Sequence, residues 1–247
     1  MRNTWTIARR EYQHYFTTPI AYVVAFLILV TVGILFVLIL WNAGQNVYYG
    51  SPPPDVGAII NPMAFLFLFA TPALTMRLLA DEQRTGTLEL LLTAPLRDWE
   101  LVIGKWLGSF LFILTIIGVS LIFPVVLNRL VTPGIDQGIF ITSYLGIVLV
   151  AASFLAIGTA FSSFFSNPIG AFIATFVCLV FFWWIVGWPA QVMPFGGELF
   201  KYLELSGRFY DNFLRGIIHL SDVVYYLSIT ALGLFLGTTA VEMRRWR

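Results

Sequence analysis

The sequence predicts an all-α integral membrane protein with six transmembrane helices. Of its 247 residues, 59% are hydrophobic and only 11% are charged, whereas a soluble domain carries about 25% charge. Six stretches approach the ~20 apolar residues that a bilayer-crossing helix needs. No charged residue lies between Asp136 and Glu198, and that run is too long for one helix.

Residues 1–18 read as an interfacial amphipathic helix. Trp5, Ala8, Tyr12 and Tyr15 or Phe16 recur at helical spacing, while Arg9, Arg10 and Gln13 fall on other faces. Such a helix lies along the membrane surface, aromatics down and arginines toward lipid phosphates. A disordered basic tail is the alternative. No A-x-A-like site ends a signal peptide, so the first span is expected to be retained. The spans fall near 20–41, 57–76, 101–127, 139–161, 169–189 and 223–241. The second contains Asn61-Pro62 and Thr71-Pro72. The third has Lys105 near its entry and Pro124 near its exit. The stretch FSSFFSNPIG (161–170) divides the long uncharged run, because Asn167-Pro168 favours a turn. All of 1–247 reads as one transmembrane domain.

Six spans put both termini on one side, and basic residues choose the side. With cytoplasmic termini, the inner segments carry Arg2, Arg9, Arg10, Arg77, Arg84, Arg97, Lys105, Arg244, Arg245 and Arg247. The outer segments carry Arg129, Lys201, Arg208 and Arg215. That asymmetry places the termini, and the loop between spans two and three, in the cytoplasm.

Several function classes lose their residues. The middle of every span lacks Asp, Glu, Lys, Arg and His, which argues against ion coupling. There is no H-E-x-x-H helix and no G-x-x-x-x-G-K-[ST] loop: Gly104-Lys105 is followed by Trp106. No cofactor or metal site is therefore expected in this chain. Ser109, Ser120, Ser153, Ser162 and Ser163 lack an obvious base, and His14 and His219 lie outside the spans. Cys178, the single cysteine, reads as a packed apolar residue. A net charge of +1 with no basic stripe gives no sign of nucleic-acid binding.

The loop RLLADEQRTGTLELLLTAPLRDWELVIGK (77–105) holds nine of the 27 charged residues. Span two should stop near Thr85-Gly86, since Gly is a good helix end. Thr87 then caps a short helix from Leu88 to about Thr93. Leu88, Leu91 and Leu92 share one face of it and Glu89 another. Pro95 prevents its continuation. Asp98 reads as the cap of span three, with Glu100 in its first turn. A solvated loop would tolerate the same charges, but a three-leucine face at the surface asks for something to cover it. The physical reading is a docking element.

The segment ADEQRTGTLELLLTAPLRDWELVIGKW (80–106) resembles the signature of type-2 ABC exporter permeases. Glu82, Gly86, Thr87, Leu88, Glu89, Leu91, Leu92, Pro95, Gly104 and Lys105 carry the likeness. The resemblance implies that Glu82, Arg84, Gly86, Thr87, Leu88, Glu89, Leu91, Leu92 and Pro95 form a cytoplasmic coupling helix for a separate ABC ATPase subunit. ATP and magnesium would then sit on that partner. It also implies a bacterial or archaeal cytoplasmic membrane, export, and pairing with a second permease copy or a related permease. The segment LSGRFYDNFLRGIIHLSDVVYYL (205–227) is similar to the gliding-motility subfamily of these permeases.

Between spans five and six, Glu198, Lys201, Glu204, Arg208, Asp211, Arg215, His219 and Asp222 recur in steps of three and four. Glu204–Arg208 and Asp211–Arg215 are i, i+4 pairs in the favourable order. Phe209, Phe213, Ile217 and Leu220 form another face, and Ser206-Gly207 is expected to break the segment. One reading is an interfacial helix with a solvated face. The other is an external gate, or a dock for an extracytoplasmic auxiliary subunit, built on Arg208, Asp211, Arg215, His219 and Asp222. Gly104-x-x-x-Gly108 and Gly233-x-x-x-Gly237 permit close helix contact, within the chain or between chains. The sequence thus reads as an exporter permease of unknown substrate. A polytopic scaffold, or a membrane enzyme not coupled to ATP, is the alternative.

Overall fold

The computed structural model describes residues 2–46, 54–87, 97–132, 134–192 and 197–245. Among them every regular element is helical. The order is α1 (Arg2–Thr17), α2 (Pro19–Asn46), α3 (Gly57–Thr75), α4 (Ala80–Arg84), α5 (Asp98–Ser120), α6 (Ile122–Leu130), α7 (Gln137–Phe164) and α8 (Pro168–Val180). A π-helical turn, Phe181–Ile185, continues α8. Then come α9 (Pro189–Val192), α10 (Gly197–Leu203), α11 (Leu205–Asp211), a 3₁₀ turn at Phe213–Arg215, and α12 (Leu220–Arg245). Six stretches are long and apolar enough to cross a membrane: Pro19–Gln45, Gly57–Arg84, Asp98–Leu130, Gln137–Phe164, Pro168–Ile185 and Leu220–Arg244.

The ends of these helices follow from local chemistry. Asp136 caps α7 by accepting from the N–H groups of Gly138 (2.7 Å) and Ile139 (3.3 Å). Asn167 caps α8 through Ile169 N–H at 3.0 Å, with Pro168 in the first turn, where its missing N–H costs nothing. The third span bends at Leu121. Pro124 has no N–H to give the Ser120 carbonyl, and the Tyr144 hydroxyl donates to that oxygen instead, at 3.2 Å.

The core sits around α7, whose Ile147, Val150, Phe154 and Leu155 are fully buried. Small residues set the spacing. A methyl group added at Gly233 would lie 2.8 Å from the Ala156 backbone, so α12 presses directly on α7. A methyl group at Gly108 would meet Glu11 Cβ at 2.6 Å and the Ala8 carbonyl at 2.9 Å, and one at Gly104 would meet Ile7 at 2.8 Å. Both small-residue motifs are therefore spent on contacts within the chain, one against α7 and one against α1. By contrast α2 and α8 turn bulky residues outward, among them Phe26, Ile34, Trp41, Ile173 and Val177.

The structure corrects several readings from sequence. The face read as apolar on α1 is divided: Ala8 and Tyr15 are buried and Tyr12 packs partly buried against the bundle, whereas Trp5 and Phe16 stay exposed. The glycines of α5 admit the Thr4, Ile7, Ala8 and Glu11 edge of α1 at close range. Span two is interrupted by a turn at 76–79 before α4. Helix α5 starts at Asp98, but Asp98 is not its cap. The Arg97 N–H donates to Glu100 at 3.2 Å, which makes Arg97 the capping position. The segment between spans five and six breaks at Glu204, between α10 and α11, while Ser206 and Gly207 lie inside α11.

Candidate coupling site

The site is built on α4, the short helix that follows span two. Gly86 takes a φ of +73°, which ends that helix where a side chain would be strained. Thr85 closes the same end, its hydroxyl donating to the Asp81 carbonyl at 2.8 Å, and Thr87 meets Thr85 at 2.9 Å. Asp81 draws Arg84 at 3.5 Å and Arg77 at 3.8 Å, all at the surface. Leu88, Glu89, Leu91, Leu92 and Pro95 lie outside the described residues.

Two fastenings hold α4 to the bundle. The first is to the end of α7. Ser162 Oγ accepts from the N–H groups of Leu79 (3.0 Å) and Ala80 (3.2 Å), the orphan donors that any helix start exposes. The Gln83 side-chain amide donates to the Ser163 carbonyl at 2.8 Å. The second is ionic. Glu82 receives the Lys105 ammonium at 2.8 Å, and Lys105 also reaches Glu11 of α1 at 3.4 Å. Lys105 is only 5% exposed. Two carboxylates thus share one buried ammonium, drawn from α1, α4 and α5.

Further bonds seat α1. The Tyr15 hydroxyl donates to the Leu74 carbonyl at 3.1 Å, and Tyr12 meets Thr115 at 3.1 Å. Burial pushes the Tyr15 phenol well above its ordinary pKa, so it remains a protonated donor at neutral pH. Beside the ionic triad lies a cavity of about 430 Å³, lined in part by Arg10, His14, Arg77, Glu82 and Lys105.

The opposite end of the bundle carries the second sequence-predicted cluster. Arg208 pairs with Asp222 at 2.5 Å, and Asn212 donates to the other Asp222 oxygen at 2.6 Å. The Arg208 guanidinium lies between the rings of Tyr202 (4.4 Å) and Tyr225 (4.3 Å). The expected Glu204–Arg208 pair does not form, because Arg208 turns to Asp222 and Glu204 accepts from the Ser206 hydroxyl at 2.6 Å. Asp211–Arg215 forms at 3.3 Å, fully at the surface. His219 is exposed, and its carbonyl accepts from the Asp222 N–H at 3.0 Å. The expected apolar face splits: Phe209 and Phe213 are buried in the bundle, while Ile217 and Leu220 are not.

Sequence reasoning named Glu82 and Lys105 but missed Glu11, which shares the ammonium, and the roles of Ser162 and Ser163, which hold the backbone of residues 79–80 and the Gln83 side chain. The signal was indirect. Six spans and the Asn167-Pro168 turn put residues 11, 82, 105 and 162 at one membrane face, without saying which would touch. Among the described residues no group of His, Cys, Asp and Glu is arranged to hold a metal ion.

Residues 45–204 match the family model described as ABC-2 family transporter protein, from the end of α2 to the Glu204 break, with α4 and Lys105 inside the match. Glu11, Arg208 and Asp222 lie outside it. No curated protein matches the chain. The matched region covers well over half the chain, and the six-span helical fold agrees with it. This chain belongs to the ABC-2 transporter family, as a multi-span membrane component.

Proposed function

We propose that this chain is the permease subunit of an ATP-driven exporter, worked by a separate ABC ATPase that docks on the cytoplasmic segment 81–96. ABC-2 permeases generally work with such a partner, which supplies ATP and magnesium. Leu88, Leu91 and Leu92 seat in a cleft of the ATPase, and Glu89 makes the outward polar contact. Glu82, already clasped to Lys105, passes the displacement inward.

The observation that carries this reading is the double fastening of α4. A push on a freely hanging loop would be dissipated. Here the Glu82–Lys105 pair links α4 to span three at 2.8 Å, and Ser162 links it to span four at 3.0 Å. The pathway lies between two permease copies, or this chain and a relative. The outward apolar faces of α2 and α8 supply the surface for that pairing and for lipid. The cluster around Arg208 and Asp222 closes the outer end, or receives an auxiliary subunit there. The termini lie in the cytoplasm. The likeness of 205–227 to gliding-motility permeases belongs to this proposal and does not identify a cargo.

The test is purification of the chain from its native membrane. A soluble subunit bearing a G-x-x-x-x-G-K-[ST] loop is expected to come with it. Glu89→Lys should leave the permease in the membrane and lower permease-dependent ATP turnover roughly tenfold, the scale of losing one charge-assisted contact. Unchanged turnover in that variant removes Glu89 from the interface.

A further inference from the structure

We infer that Lys105 is the positioning residue that makes α1 move together with α4; this rests on the reading that a partner ATPase pushes on 81–96. The ammonium is shared by Glu82 of α4 and Glu11 of α1. Lys105 stands next to Gly104 on α5, and Gly104 and Gly108 let α1 approach so closely that Glu11 lies over it. Two carboxylates share one ammonium, and Lys105 is almost wholly buried. Taking the ammonium away leaves two mostly buried carboxylates facing each other without their shared counter-ion, which pushes their carrier helices apart.

The other fastening of α4 differs in kind. Ser162 and the Ser163 carbonyl bind it through neutral hydrogen bonds, and these lead to α7 alone. Displacement of α4 therefore divides. One part enters span four through uncharged bonds. The other enters span three and, through the same ammonium, the N-terminal helix. Of the other cations near the site, Arg77 and Arg84 are engaged with Asp81, while Arg10 and His14, which line the adjoining cavity, are exposed; the ion pairs of Glu11 and Glu82 are both to Lys105.

Two measurements test this. In the first, spin labels replace the exposed residues Arg9 on α1 and Phe164 at the end of α7, in a Cys178→Ser background. The permease–ATPase complex in lipid nanodiscs is then given nucleotide. The expected result is a change in label distance that survives Lys105→Arg and is lost in Lys105→Met, with the ATPase still bound. An undiminished change in Lys105→Met overturns the proposal. The second measurement uses the permease alone and follows amide exchange. Lys105→Met should accelerate exchange in both 2–17 and 80–84 by roughly tenfold or more, as expected when a buried charge pair loses one partner. The uncharged combination Glu11→Gln, Glu82→Gln, Lys105→Met should restore protection in both segments, which separates loss of the link from misfolding. Acceleration in one segment only, or in neither, overturns the link. If no ATPase binds the unaltered permease, the reading of 81–96 falls, and the exchange result still decides whether Lys105 joins α1 to α4.

Discussion

Both ends of this bundle hold a cation largely out of water, and they do so in opposite ways. At the Arg208 end one arginine meets one carboxylate, with Asn212 on the spare oxygen and two tyrosine rings on the guanidinium faces. The partners all come from 24 residues of adjoining chain, Tyr202 to Tyr225. At the α4 end one lysine serves two carboxylates, and Lys105 and Glu11 are 94 residues apart. The Arg208 cluster is a one-to-one lock. The Lys105 cluster ties together three helices that meet only through folding, with two carboxylates on one ammonium. A lock suits a seal. A shared ammonium between separate helices suits the transfer of motion.

Asp222→Ala should do the most damage, because it removes the buried carboxylate of the pair and strands a largely buried guanidinium. The expected loss is about 3–5 kcal/mol, the usual cost of breaking a buried ion pair. It should appear as a large drop in unfolding temperature in detergent or nanodiscs. A loss of only a few tenths of that size would mean that the tyrosines and solvent carry Arg208 unaided.

Gly108→Ala follows. The new methyl has no room beside Glu11 Cβ and the Ala8 carbonyl, and overpacking typically costs about 1–3 kcal/mol. Amide exchange should rise in α1 with little change around Arg208. Ser162→Ala comes next. It removes the acceptor for the Leu79 and Ala80 N–H groups, worth about 1–2 kcal/mol for buried donors left unpaired. The loss should be confined to α4 and the turn before it. Arg215→Ala should do least. Arg215 and Asp211 are 68% and 56% exposed, and such surface pairs contribute under about 1 kcal/mol. An unfolding temperature that drops as far as for Asp222→Ala would erase the distinction between a buried lock and a solvated pair.

The six spans were legible because each is a long apolar run, and the helix break at Asn167-Pro168 was legible because proline constrains the residue before it. The stop at Gly86 was legible for the same kind of reason, a local backbone preference. The fastening of α4 was not. Which serine of five would meet the backbone of residues 79–80, and which carboxylate would meet Lys105, depend on how α5 and α7 are placed beside α4. No spacing in the sequence records that. The Glu204–Arg208 expectation shows the converse failure. Its i, i+4 spacing was favourable, but worth only a few tenths of a kcal/mol, and a buried carboxylate at Asp222 outbid it. The two small-residue motifs show a third case. The sequence marked them as contact points, and only the packing of α1 on α5 and of α12 on α7 assigned both to the chain itself.

The central claim is that force enters at the α4 end and not at the Arg208 end. The most direct measurement places a photo-crosslinking amino acid at Thr87 in one sample and at His219 in another, with the chain in its native membrane. The account predicts an adduct to an ATP-binding subunit from position 87 and none from position 219. An ATPase adduct from position 219, or its absence from position 87 while the subunit co-purifies, would contradict it.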